Sequence, residues 1–161
     1  MRQGLLAAAA LCLLAACARK PPTVALGSRL SLAYTLTVDG QIDDTTDGKG
    51  PLDLTVGKGA LPEAVESALI GMRVGEEKSI ALQPSQAYGM RNPHQIVEVP
   101  RADIGPLAAQ LEPGKIILGL REGKAARARV DRLSNSSVWL DFNHRLADKK
   151  VTFRLKVLAL R

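Results

Sequence analysis

The sequence predicts an α+β chain: an antiparallel sheet laid on one short helix, interrupted by a smaller all-β segment. Three observations carry this. Long runs near both ends, "LSLAYTLTV" from Leu30 and "VTFRLKVLAL" from Val151, alternate apolar with polar or small residues, as strands buried on one face do. A single stretch, "ALPEAVESALIGM", carries the 3.6-residue spacing and end signals of a helix. Between roughly residues 92 and 143, four short strand-like runs are separated by turn signals. A chain of 161 residues with 46% hydrophobic content can bury a core of its own.

The first strand places Leu30, Leu32, Tyr34, Leu36 and Val38 on one face, so Tyr34 is expected on the core side. Asp39-Gly40 supplies the turn that reverses it. The acidic stretch "DDTTDGKG" from Asp43 reads as a solvated loop, followed by a short run from Leu52 to Val56. In the helix, Pro62 suits the first turn, Glu63 complements the positive end of the helix dipole, and Gly71 closes the far end. Leu61, Val65, Ala68 and Leu69 share one face and can lie across a sheet. A strand at Lys78–Gln83 leads into "PSQAYGM", where Tyr88 precedes Gly89. The last strand puts Val151, Phe153, Leu155 and Val157 on one face, and Tyr34, Tyr88 and Phe153 are expected to meet above the helix. In the inserted segment the strand candidates are "QIVEV", "KIILGL", "ARARV" and "SVWLDF". Trp139 and Phe142 are available there for a core or a contact surface.

The amino terminus has another character. Arg2, the apolar run from Leu5 to Leu14, and Ala15-Ala16 form an export signal too short to span a bilayer as a permanent helix. "LAAC" at Leu14–Cys17 resembles the lipobox of bacterial lipoproteins. That resemblance implies removal of residues 1–16, acylation of Cys17, a tether over 17–27, and, with Ala18 following the cysteine, anchoring in the outer membrane facing the periplasm. Cys12 would leave with the signal, so no disulfide is expected. The net charge of +6 is scattered apart from "GKAARAR". There Arg127 and Arg129 alternate with Ala126, Ala128 and Val130 as on a solvated strand face, so no nucleic-acid partner is expected. His94 and His144 have no cysteine or carboxylate at ligand spacing, and Gly57-Lys58-Gly59 lacks the pattern of a phosphate loop; neither a metal nor a cofactor is expected.

The order "SLAYTL…DGQIDDT…PLDLTVGKGALPEAVESALIGMRVGE…AYG…NHRLADKKVTFRLKVLAL" resembles the FKBP-type prolyl isomerases, specifically the SlyD-like branch with an insert-in-flap domain, from about Arg29 to Leu160. The resemblance implies a half-barrel sheet wrapped on the helix, an isomerase domain from 28–91 and 144–161, and an insert-in-flap chaperone domain from 92–143. It places the substrate proline in an apolar pocket formed by Tyr34, Ile42, Asp43, Leu52, Leu61, Pro62, Val65, Tyr88 and Phe153. Among these, Tyr34, Asp43, Tyr88 and Phe153 would serve catalysis, Tyr88 offering its hydroxyl to a substrate carbonyl and Asp43 an acidic group at the pocket edge. Val65 and Leu52 stand where many members carry aromatics, and Pro62, where members use a backbone amide, has no N–H to donate. The implied function is isomerisation and chaperoning of unfolded or proline-containing polypeptides during the folding of exported proteins, by a monomer held to the membrane through its lipid. The other reading is a non-catalytic holdase on the same scaffold.

Overall fold

A computed structural model describes residues 21–121 and 123–161; the export signal and Cys17 lie outside the described residues. Strands β1 (Arg29–Val38), β2 (Gln41–Thr45) and β3 (Leu52–Thr55) precede helix α1 (Glu63–Leu69) and strand β4 (Glu77–Leu82). Then follow β5 (Ile96–Pro100), a short helix α2 (Arg101–Ile104), β6 (Ile116–Arg121), β7 (Lys124–Leu133), β8 (Ser137–Asp141) and the long β9 (Val151–Leu160). All strand pairs are antiparallel. One sheet has the order β2-β1-β9-β4, with β3 pairing β1 beyond the end of β2; the other has the order β5-β8-β7-β6.

The period-2 pattern of β9 is realised without exception over its first eight residues. Val151, Phe153, Leu155 and Val157 are buried, and Thr152, Arg154, Lys156 and Leu158 are exposed. Antiparallel partners share a face, so Phe153 lies opposite Leu36 of β1 and Ile80 of β4. Helix α1 lays Val65 and Leu69, both fully buried, onto that face. Its first turn gains from Glu63 and Glu66, and its end is turned by Gly71.

The expected polar loop at 43–50 begins as a strand. β2 is an edge strand whose residues are exposed or half-buried, so its sequence carries no apolar alternation; pairing with β1 organises it. The second sheet buries Val130 and Val138 fully, beneath a cover formed by α2 and the turns through residue 110. Trp139 and Phe142 serve that sheet chiefly as platforms, with the guanidinium of Arg132 4.3 Å above Trp139 and that of Arg121 4.6 Å above Phe142.

The chain crosses between the sheets twice, near residues 91–95 and 142–146, and the crossings are tied to each other. Asn92 donates its N–H to Asn143 Oδ1 at 2.8 Å, and Asn143 Nδ2 donates to the Asn92 carbonyl at 3.1 Å. Arg91 donates through Nε and Nη2 to Asp141 Oδ2, and its backbone N–H reaches Asp148. Asp141 is buried. Burial alone would raise its pKa, but donors from Asn143, Arg91 and Arg129 outweigh that and hold it below the usual carboxylate range.

Candidate functional site

The site starts at a bulge. Leu36 pairs with Asp44, but the next residue of β1, Thr37, pairs with Ile42, so Asp43 is the extra residue on β2. Simple alternation would put Ile42 and Asp44 on one face. The bulge instead sends Ile42 to the face of Thr37, where it is 68% exposed, and sends Asp44 to the face of Leu36, Tyr34 and Phe153. Ile42 therefore does not line the apolar face expected of it. Asp44, which the sequence offered only as part of an acidic turn, takes the Tyr34 hydroxyl at 2.6 Å.

Tyr34 and Asp44 set each other's acidity. Burial, and then the Asp44 hydrogen bond, push the Tyr34 phenol up to about 12. Lys49 Nζ at 2.8 Å, then the Tyr34 hydroxyl, bring Asp44 down to about 2. A neutral phenol bonded to an ionised carboxylate is thus the stable pairing across ordinary pH. The Tyr34 ring sits 6.2 Å from that of Phe153, tilted by 45°, so the hydroxyl's anchor also fixes an aromatic wall against the buried Phe153.

The loop before α1 supplies the opposite wall. Leu61 and Pro62 are half-buried above the fully buried Val65, and Leu52 of β3 is half-buried opposite Leu32. Leu52, Leu61, Tyr34 and Tyr88 all pack against the core that contains Val65 and Phe153. Glu66, the next helical residue, is buried, with its carboxylate accepting the N–H groups of Gly57 and Leu61, the latter at 3.1 Å. Burial would raise its pKa; the N–H groups of Leu61, Gly57, Gly59 and Ala60 overcome this and lower it. This carboxylate shapes the 57–61 turn and also takes the Leu61 amide out of use for a ligand. Pro62 has none to offer.

Tyr88 comes from a single 3-10 turn, Pro84–Gln86, closed by reciprocal bonds between Gln83 and Gln86. Gly89 follows at φ 84°, donating its N–H to the Pro84 carbonyl at 2.7 Å, a backbone setting that glycine adopts at little cost. The ring of Tyr88 lies flat on His144, centroids 4.3 Å apart and 4° from parallel. His144 Nδ1 accepts the Leu146 N–H, and burial, then the neighbouring Arg145, push its pKa down, favouring the neutral ring. Burial likewise raises the Tyr88 phenol. Tyr34 and Phe153 meet as expected, and Tyr88 packs against the same core, but the ring partner of Tyr88 is His144.

Asp43 is held by Arg145 through two bonds of 2.6 Å, a fork joining the bulge to a residue 102 positions further on. The guanidinium lowers the Asp43 pKa through these bonds, so its carboxylate is ionised and already partnered. Tyr34, Leu52, Leu61 and Tyr88 thus stand half-buried over a closed core in which Val65 and Phe153 are fully buried, and each acidic group beside them is matched to a cation or a phenol. Among the described residues no nucleophile is poised against a base; the arrangement suits a reaction that needs shape and desolvation rather than bond exchange.

Comparison with known proteins agrees. A sequence profile described as FKBP-type peptidyl-prolyl cis-trans isomerase matches residues 20–105. The chain is similar to a short-type peptidyl-prolyl cis-trans isomerase of Methanocaldococcus jannaschii, 35% identical over 145 aligned positions that cover 81% of this chain and 90% of that one. It is 32% identical to the FKBP-type isomerase SlyD of Helicobacter pylori, covering 81% of this chain and 71% of that one, and 30% identical to SlyD of Escherichia coli, covering 82% and 67%. Motif, fold and relatives converge: the chain belongs to the FKBP-type peptidyl-prolyl cis-trans isomerases.

Proposed function

We propose that this chain isomerises X–Pro bonds in unfolded polypeptides that its second sheet captures, and that it does so at a membrane surface, in the folding of exported proteins. The observation that supports the site most directly is the Tyr34–Asp44 bond, because it fixes the half-buried Tyr34 ring against the buried Phe153. Rotation about the prolyl bond is opposed by about 18–20 kcal/mol of amide resonance. A proline ring seated among the half-buried Tyr34, Leu52, Leu61 and Tyr88 would leave its amide out of water, which weakens the resonance and favours the twisted bond over either planar isomer. With Pro62 lacking a donor and the Leu61 N–H engaged by Glu66, the Tyr88 hydroxyl is the donor assigned to the substrate carbonyl.

Capture is assigned to residues 92–143. Between α2 and the inner face of their sheet lies a cavity of about 610 Å³ lined mostly by apolar side chains, among them Val97, Val99, Ile104 and Leu107. Leu107 is 62% exposed and Leu118 79%. Apolar surface left open on a small sheet marks a binding site more often than it marks a fault. Residues 28–91 with 144–161 then form the isomerase unit and 17–27 the tether, with Cys17 carrying the lipid.

The deciding experiment is the cis-to-trans rate of a short peptide with an apolar residue before proline, beside the refolding rate of a proline-limited protein. Acceleration of both supports the enzyme. Suppressed aggregation of an unfolded protein without acceleration of the peptide would make the chain a holdase, the reading favoured by the two amides withdrawn at Leu61 and Pro62.

A further inference from the structure

We infer that the apolar rim formed by Leu26, Ile70 and Val74 is the face that this chain seats on the lipid bilayer. The inference rests on the reading of Cys17 as an acylated anchor. It starts from where the tether joins the body. Val24 is fully buried and clamped into the fold by two backbone bonds of 2.8 Å, its N–H to the Met72 carbonyl and the Gly71 N–H to its own carbonyl. Cys17 stands seven positions earlier. Even a fully extended chain spans at most about 3.6 Å per residue, so an acyl group on Cys17 keeps Val24 within about 25 Å of the bilayer.

Three apolar side chains near this exit point are exposed. Leu26, two residues beyond Val24, is 75% exposed; Ile70, just before Gly71, is 48% exposed; and Val74, two residues beyond Met72, is 52% exposed. Leu26 and Ile70 line one open cavity of about 380 Å³. Leu26 lies against Gly57 so closely that a Cβ there would sit 2.5 Å from its Cδ1. Gly57 thus lets the leucine lie along the turn while its outer side stays open. Single exposed apolar residues are common on any protein; here two line one cavity and the third follows two residues after the Met72 carbonyl that holds Val24.

The neighbouring charges favour neither kind of headgroup. Lys58 and Arg73 are exposed there, but Arg73 pairs with Glu76 at 3.3 Å and Glu63 lines the same cavity as Leu26. Seating is therefore apolar, persisting on neutral lipid and at high salt. Three side chains are too few to hold a free protein on a bilayer, but a short tether supplies an effective concentration in the millimolar range, at which a weak contact is occupied.

The test uses the full chain, produced with its export signal, acylated, and reconstituted into phosphatidylcholine vesicles. Single cysteines replace Leu26, Ile70 or Val74, with Leu118→Cys on the second sheet as the reference. Each carries a polarity-sensitive fluorophore, read for emission shift and for quenching by nitroxide-bearing lipid. Expected is a blue shift and several-fold stronger quenching at 26, 70 and 74 than at 118, unchanged by salt, with peptide isomerisation retained by the variants at 26, 70 and 74. Intact mass reports the acyl group separately. Acylated protein whose three positions are quenched no more than 118 would overturn the docking face and leave the anchor standing. A blue shift without lipid quenching would overturn it too, in favour of a protein partner or second copy. An unacylated Cys17 would end the anchor reading and the docking face together.

Discussion

The two sheets are built by the same antiparallel rules and finish differently. The five-stranded sheet closes: α1 covers its inner face, and Val65, Leu69, Phe153, Leu155 and Val157 are all fully buried. The four-stranded sheet is covered only by a short helix and turns, and it leaves an apolar groove with Leu107 and Leu118 exposed at its edges. Where geometry must be exact to a fraction of an ångström, the chain spends its large side chains on packing. Where surface must accept many shapes, it leaves some of them out. On the proposed function, the difference would separate a unit suited to one transition state from a unit suited to many unfolded segments.

Substitutions should divide along the same line. Phe153→Ala empties the closed core and should cost about 3–5 kcal/mol of stability in urea unfolding, with turnover lost alongside. A cost near zero would mean that the five-stranded core is not closed. Arg91→Ala leaves the buried Asp141 with Arg129 and Asn143 alone; about 1–3 kcal/mol is expected, and refolding of a protein substrate should suffer more than peptide turnover. Equal loss in both assays would argue that the two units do not act in sequence. Tyr88→Phe removes one donor and no packing, so peptide turnover should fall about fivefold, near 1 kcal/mol, at unchanged stability. Leu118→Ser on the open sheet should change stability by less than about 0.5 kcal/mol while weakening capture of unfolded protein.

The closed unit should also show its charges in acid. Asp44 has its pKa lowered in the folded state, so its contribution is fully present above the ordinary carboxylate value of 3.8 and is lost as pH falls towards about 2. Tyr34 is the reverse case. Its pKa is raised, so its contribution is present below 10 and is lost as pH climbs through about 12. Asp44→Asn should flatten the acid limb of the stability curve between those carboxylate values and leave the groove's binding of unfolded protein unchanged. An acid limb identical to that of the parent would show that the Tyr34–Asp44 bond carries no stability.

What was legible in the sequence follows the same physics. β1, β9 and α1 announce themselves because each buries one face, and burial imposes a period. β2 does not: an edge strand reading "QIDDT" has no buried face to impose one, and its register includes a bulge that inverts which acid meets Tyr34. The resemblance placed Asp43 at the pocket edge and left Asp44 in an acidic turn; that Asp44 is the partner of the Tyr34 phenol is visible only with the bulge. Glu66 hid for another reason. It adjoins the apolar stripe of α1, but its burial is satisfied by amides of a turn that no side-chain pattern records. The segment 101–110, broken by Gly105 and Pro106, offers neither period and became visible only as the cover of the second sheet.

The doubly tied neck has a mechanical consequence. A single peptide strand between two bodies transmits tension and little else, because its bonds swivel. Two strands bound to each other through Asn92, Asn143, Arg91 and Asp141 behave as a strap of finite width, which resists torque about its own length and yields to bending across it. Turning the second sheet about that strap therefore strains the Asn92–Asn143 pair and the Arg91–Asp141 bonds, a restraint that a single connecting strand lacks.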